Sequence, residues 1–250
     1  MPRFYCPCPL ATDAVLDLPA GAARHVQVLR LQPGICIDLF NGLGGNWQAE
    51  IVAMTRSSVS VRVLAHDATE RELATPLHIA ISLPANERMD WLVEKATELG
   101  VASIQPLMSE RSVLRLAVAD GKDSADERSA KKTAHWRNVA ISAAEQCGRT
   151  RVPTVAPVLS LPYWLAQRDR AQAAFVLSPP HAGSSPPLLQ AVAAGLEAVF
   201  LIGPEGGLSE KEITLALDAG CKPCHLGARV LRAETAPLAI LAALALRELS

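Results

Sequence analysis

The sequence predicts an α/β fold in two domains, a small N-terminal β-barrel and a larger α/β domain with a mostly parallel sheet. Three observations lead there. Residues 35–64 alternate apolar and polar positions with period 2. From Leu77 onward, short apolar runs alternate with helix-period segments. Between the two patterns lies the polar stretch His66-Asp-Ala-Thr-Glu-Arg-Glu-Leu-Ala-Thr-Pro76, which reads as a linker. A chain of 250 residues, half of them apolar and 20% charged, has room for both domains and enough apolar surface to bury a core. The boundary is drawn at 1–72 and 73–250.

In chain order, residues 22–31 read as a short helix carrying Arg24, His25 and Arg30. Strands follow at 35–40, 47–54 and 59–64, separated by Asn41-Gly-Leu-Gly-Gly45 and Thr55-Arg-Ser-Ser58, both rich in turn formers. Val59, Val61 and Val63 point to one face, Ser58, Ser60 and Arg62 to the other, as in a half-buried antiparallel meander. Residues 77–83 form a short apolar run. Met89, Leu92, Val93, Ala96 and Leu99 then recur at helical spacing up to Gly100. Further strands are predicted at 173–177, 198–202 and 224–226, and helices at 130–147, 186–194, 209–219 and 235–248. Such alternation gives a parallel sheet covered on both faces.

The formal net charge is −1, so binding to nucleic acid requires basic groups gathered on one face. Met1-Pro-Arg-Phe-Tyr-Cys-Pro-Cys-Pro9 lacks the apolar core of a signal peptide, and the longest strongly apolar run, 236–246, falls well short of the roughly 20 residues that span a bilayer. The expectation is a cytoplasmic protein with reduced cysteines and no membrane contact. Cys221-Lys-Pro-Cys224-His225 matches a haem-attachment pattern. With no export signal, and directly after the Gly-capped helix end Leu217-Asp-Ala-Gly220, it reads as a chance match. Cys6 and Cys8 have the wrong spacing to complete a zinc site, and no metal is expected.

Three segments carry chemistry. In Val199-Phe-Leu-Ile-Gly-Pro-Glu-Gly-Gly-Leu-Ser-Glu-Lys-Glu212 a buried strand runs into a Gly/Pro turn, and Ser209-x-x-Glu212 is a capping box for the next helix. Ligands bind beyond the carboxyl ends of parallel strands, where this turn lies. A tight turn needing glycine for geometry alone explains the segment equally well. It is neither a dinucleotide fingerprint nor a triphosphate loop. In Leu226-Gly-Ala-Arg-Val-Leu-Arg-Ala-Glu-Thr-Ala236, Glu234 suits the first turn of the following helix, whereas Arg229 and Arg232 gain nothing from a helix N-terminus. In Glu145-Gln-Cys-Gly-Arg-Thr-Arg-Val-Pro153, a helix ending at Gly148 exposes Arg149 and Arg151. The preceding helix carries Arg128, Lys131, Lys132, His135 and Arg137, a basic surface or simply a solvated charged face.

Taken together, these blocks resemble the bacterial 16S ribosomal RNA uridine N3-methyltransferase family, RsmE, of the knotted SPOUT methyltransferases. The blocks are Arg88-Met-Asp-Trp-Leu-Val-Glu-Lys-Ala-Thr-Glu-Leu-Gly-Val101, Ser109-Glu-Arg-Ser112, Glu145-Gln-Cys-Gly-Arg149, Leu201-Ile-Gly-Pro-Glu-Gly-Gly-Leu-Ser209 and 226–236, with Arg3-Phe-Tyr5 and His25-Val-x-Val-Leu-Arg30 toward the N-terminus. They run in order along nearly the whole chain. The resemblance implies a PUA-like RNA-binding barrel, a SPOUT α/β domain with a deep trefoil knot, a homodimer, and S-adenosylmethionine as cofactor. Carried over, Leu177, Ser178, Ile202, Gly203, Glu205, Gly206, Leu226, Gly227, Val230 and Leu231 would cradle the cofactor. The substrate would be 16S rRNA in the small ribosomal subunit. Pro84-Ala-Asn-Glu-Arg88 departs from the Lys- or Gly-containing start expected before the Met-bearing helix, and Ala228 stands where Pro is frequent.

Uracil N3 carries a proton, so a site must remove it and stabilise the anion that forms. Arg232 suits the second task, and Glu234 or Glu205 is the candidate base. Arg3, Arg24, His25, Arg30, Arg149 and Arg151 are the candidate RNA contacts. The alternatives are a PUA-type RNA-binding protein without catalysis, a SPOUT enzyme with another RNA target, and a cytochrome-like or metal protein built on Cys221 and Cys224.

Overall fold

The computed structural model describes residues 1–120, 126–177 and 185–248. Contacts group the chain into two units, Met1–Glu72 with Ile141–Val152, and Leu73–Ala140 with Pro153–Ser250.

The first unit holds β1 (Arg3–Tyr5), β2 (Val15–Asp17), α1 (Ala20–Val28), β3 (Cys36–Phe40), β4 (Asn46–Met54) and β5 (Val59–Asp67). They form a five-stranded sheet in the order β1-β3-β4-β5-β2, parallel between β1 and β3 and antiparallel elsewhere. The period-2 signal translates directly into burial. Val59, Val61 and Val63 are fully buried with Phe4, Val26, Ile37, Leu39 and Ile51, while Arg62 and Leu64 on the same strand face solvent. The predicted linker is structured in part. Glu72 accepts the N–H groups of Thr150 and Arg151 at 3.2 and 3.1 Å, and Glu70 accepts the Thr150 hydroxyl.

The second unit comprises β6 (Leu77–Ser82), α2 (Asn86–Glu98), β7 (Ser103–Met108), α3 (Glu127–Cys147), β8 (Thr154–Val155), β9 (Leu159–Ser160), α4 (Leu161–Gln167), β10 (Ala173–Leu177), α5 (Leu188–Ala191), β11 (Ala198–Ile202), α6 (Glu210–Asp218), β12 (Lys222–Cys224) and α7 (Thr235–Glu248). From Ile141 on, α3 groups with the first unit. The sheet runs β12-β10-β11-β6-β7-β8, with β9 also on β7, and its strand pairs are parallel. All five residues of β11 are buried, which is why that run shows no alternation. The capping box at α6 is present, with Ser209 and Glu212 bonding each other's backbone N–H.

Some elements differ from expectation. The helix predicted at 186–194 is one turn, because Val192 turns extended and buries its side chain. The strand predicted at 224–226 lies at Lys222–Cys224, the stretch opposite β10, and Leu226 begins a turn. Strand β7 went unpredicted because it contains Pro106, which cannot donate to a ladder. Pro106 sits in the gap between the rungs to β8 (Ser103, Ile104) and those to β9 (Leu107, Met108), where no donor is needed. The Gln105 amide bridges the same gap by donating to the carbonyls of Pro106 and Pro157 at 2.9 and 2.8 Å.

Candidate active site

Strands β12, β10 and β11 are neighbours and parallel, so their carboxyl ends open on one edge of the sheet. The chain leaving each of them lines a single cavity of about 450 Å3, within the range of small-ligand sites. Leu177 ends β10; Ile202 ends β11, and Gly203, Glu205 and Gly206 follow it; Leu226, Gly227, Val230, Leu231 and Arg232 follow β12. Ser178 lies outside the described residues. Apolar Leu177, Ile202, Leu226 and Leu231 supply walls that suit an adenine face, and the glycines keep side chains out of the space between them. At Gly203 a methyl group would stand 2.8 Å from the Leu208 nitrogen and 3.0 Å from the Gly207 carbonyl carbon. Gly227 has φ +98°, a left-handed conformation that turns the chain back over the cavity.

The charged lining is more structured than the sequence reveals. Arg88, in the first turn of α2, donates to Glu205 Oε1 at 3.0 Å and lies 3.7 Å from Glu234 Oε1. The Ala85 N–H donates to the same Glu205 oxygen at 3.0 Å. Glu234 is buried, is absent from the cavity lining, and its Oε2 has no hydrogen-bond partner among the described residues. It also precedes α7 instead of occupying its first turn, where the Arg232 carbonyl accepts from Thr235 and Ala236. Of the two candidate bases, Glu205 therefore faces the cavity, and Glu234 sits against Arg88. Arg111 donates to the Gly206 carbonyl at 2.8 Å and packs its stem on that glycine. Arg229 and Arg232 are exposed on the cavity wall, and no carboxylate among the described residues pairs with Arg232. Arg88 and Arg111 were missed as site residues because their partners lie 117 and 95 residues away, beyond any local pattern.

The candidate RNA contacts separate by environment. Arg3 is part-buried, donating to the carbonyls of Ala144 and Arg149 and to Asn46 Oδ1 at 2.9, 2.8 and 2.7 Å, with its guanidinium over the Phe40 ring. Burial, then the nearby Arg71 charge, pulls its pKa down. Arg149 is only 6% exposed and ion-pairs with Glu72. Both are held by bonds within the unit, which for Arg149 is contrary to the exposure expected after Gly148. Arg24, His25, Arg30 and Arg151 remain at the surface, His25 facing Glu145 at 3.5 Å and Arg151 facing Glu70 at 3.4 Å. Burial raises the Glu70 carboxyl, but the hydrogen bonds from Thr150 and the Arg71 N–H, with the Arg151 charge, outweigh it and hold it below the usual value.

The Cys-x-x-Cys-His motif is part of the core. Cys221 and Cys224 are 3% and 0% exposed, and burial pushes the Cys224 thiol up to about 12. Burial also raises Cys221, against the opposing Arg168 charge. A raised thiol pKa means little thiolate at any pH well below it. In the folded protein at pH 8, iodoacetamide should therefore alkylate the exposed Cys36 and leave Cys221 and Cys224 intact. Mass spectrometry showing Cys224 labelled as fast as Cys36 would contradict this. Among the described residues no group of three or more His, Cys, Asp or Glu could hold a metal ion, and no helix is long and apolar enough to cross a membrane.

The RNA methyltransferase domain family matches residues 71–245, and the RNA methyltransferase PUA domain family matches residues 18–64. Ribosomal RNA small subunit methyltransferase E of Bacillus subtilis is 31% identical over 224 residues, 88% of this chain and 84% of its own. The chain belongs to the ribosomal RNA small subunit methyltransferase E family. The member from Neisseria gonorrhoeae, solved bound to S-adenosyl methionine, superposes with a TM-score of 0.86 at 35% identity over 97% of this chain and 96% of that one. A methyltransferase of Legionella pneumophila, solved with the cofactor SAM, gives 0.89 at 33% identity over 98% and 97%. The PUA-like unit followed by a SPOUT-type α/β unit is thus the family architecture, as the resemblance implied.

Proposed function

We propose that this chain transfers the methyl group of S-adenosylmethionine to N3 of one uridine in the RNA of the small ribosomal subunit. The observation that carries this is the convergence of three turns on one cavity, in a chain whose relatives are solved with that cofactor. The residues present fit such a group. Leu177, Ile202, Leu226 and Leu231 would cover the adenine, while glycine at 203, 206 and 227 keeps side chains away from the backbone that would meet its edge. The cofactor supplies a methyl already activated by its sulfonium.

What remains for the chain is the uridine. Its N3 is on the Watson–Crick edge, so the base reacts unpaired and turned out of its stack. Glu205 takes the N3 proton. The bonds from Ala85 and Arg88 both end on its Oε1, and its other oxygen carries no bond among the described residues. Arg232 stabilises the uracil anion with a charge that no carboxylate among the described residues shares. Glu234 holds Arg88 in place. On the first unit, Arg24, His25, Arg30 and Arg151 contact RNA. The protein works in the cytoplasm as a homodimer, which would cover exposed Val230 and Leu246.

The test is to incubate the protein and labelled cofactor with small subunits lacking the modification, then digest and map the product. N3-methyluridine at one position is expected. Label on a ribose or a guanine overturns the target assignment, and calorimetry showing no cofactor binding reduces the chain to an RNA-binding module. Sedimentation of the same preparation reads the dimer.

A further inference from the structure

The first half of α3 presents Arg128, Lys131, Lys132 and His135 at spacing i, i+3, i+4, i+7, which places all four on one helical face. A depression of about 500 Å3 is lined by these four and Glu127 alone among the described residues. Three permanent cations therefore surround it with one carboxylate. That carboxylate, Glu127, pairs with Lys131 at 2.6 Å, but the two side chains are 82% and 74% exposed, so water screens the pair and an incoming anion displaces it readily. In a chain of formal net charge −1, such a local excess of cations is a gathered one.

The face is also held in fixed relation to the cavity. Lys132 Nζ donates to Asn86 Oδ1 at 2.6 Å, and Asp90 accepts from His135 and from the buried Trp136 indole at 3.0 Å each. Asn86 and Asp90 lie on α2 on either side of Arg88, which lines the cavity. The basic face is thus tied to one side of the first turn of α2, and Arg88, two residues from both Asn86 and Asp90, projects from the other side of the same turn. Arg137 is not part of the face, since it donates to the Val155 carbonyl at 2.9 Å.

We infer that this face of α3 binds RNA phosphates, so that the catalytic unit itself grips the strand flanking the target uridine. A strand whose base enters beside Arg88 passes the first turn of α2, the same turn that Lys132 and His135 bond from the basic face. The inference rests on the proposed rRNA substrate. It adds a binding surface that belongs to the second unit and is distinct from the candidate contacts on the first. Non-specific backbone contacts of this kind position the strand and leave sequence to be read elsewhere.

The experiment compares wild type with R128Q/K131Q, two exposed changes that keep good helix formers and leave the Lys132 tether intact, and with R128Q/K131Q/K132Q. Binding to small subunits lacking the modification is measured without catalysis, across a salt series. The double variant should bind about tenfold more weakly near physiological salt. Each lost phosphate contact should flatten the slope of log affinity against log salt by about 0.7 to 0.9. Affinity for S-adenosylmethionine should stay at the wild-type value, and in turnover the change should fall on KM for the particle. A double variant with wild-type affinity and wild-type salt slope overturns the inference. So does unchanged particle binding accompanied by lost retention of poly-glutamate, which would assign the face to an acidic protein partner. Methyl transfer by wild type is scored separately, so a failed uridine assignment is distinguishable from a failed phosphate surface.

Discussion

Replacing Arg232 with Ala should lower kcat by about a hundred- to a thousandfold, the scale seen when one preorganised donor to a developing anion is removed. The residue follows β12, lies exposed on the cavity wall, and shares its charge with no carboxylate among the described residues. Arg88, by comparison, is already engaged by Glu205 and Glu234. With no carboxylate beside it among the described residues, Arg232 does its stabilising when charge appears on the substrate. The loss should therefore fall on turnover, with affinity for S-adenosylmethionine kept within about threefold, as isothermal calorimetry would show. Arg232→Lys should recover part of the rate, since it restores the charge without the planar fork. Equal loss of turnover and cofactor affinity would place Arg232 in the cofactor site and remove its catalytic role.

How far the sequence could be read depended on the range of the interactions involved. Strands at Ala173–Leu177 and Ala198–Ile202 stand where the apolar runs put them, because a strand covered on both faces needs little more than unbroken apolar residues between turns. The turns that line the cavity were legible for a similar reason, since glycine after a buried strand is a local signal. Arg149 was misjudged because a loop arginine looks exposed unless its partner is visible, and Glu72 lies 77 residues back. The same applies to Glu234, whose buried carboxylate meets Arg88 on a different helix. Two glutamates that looked equivalent as bases are separated only by which of them the fold turns toward the cavity. Pro106 shows the opposite failure: a reliable local rule gave way because two short strands happen to leave a gap opposite it.

Gly203 joins the fold to the function most directly, and Gly203→Ala should disturb both. The added methyl would meet main-chain atoms, the Leu208 nitrogen at 2.8 Å and the Gly207 carbonyl carbon at 3.0 Å, so no side-chain rotation relieves the clash. The turn from Ile202 to Leu208 has to open. Overpacking of this kind costs on the order of 1–3 kcal/mol, or a fall in Tm of roughly 2–12 °C for a chain of this size. Because the same turn supplies Ile202, Glu205 and Gly206 to the cavity wall, affinity for S-adenosylmethionine should fall more than tenfold. Gly207 provides the comparison. Its φ is +68° with nothing within 4 Å of a built methyl, so Gly207→Ala carries only the left-handed backbone penalty, about 1–2 kcal/mol, and meets no atom of the turn. Thermal melts and cofactor calorimetry on the two variants separate backbone strain from steric opening. Wild-type cofactor affinity in Gly203→Ala would mean that the ligand does not depend on this turn, and the three-turn pocket would lose one of its walls.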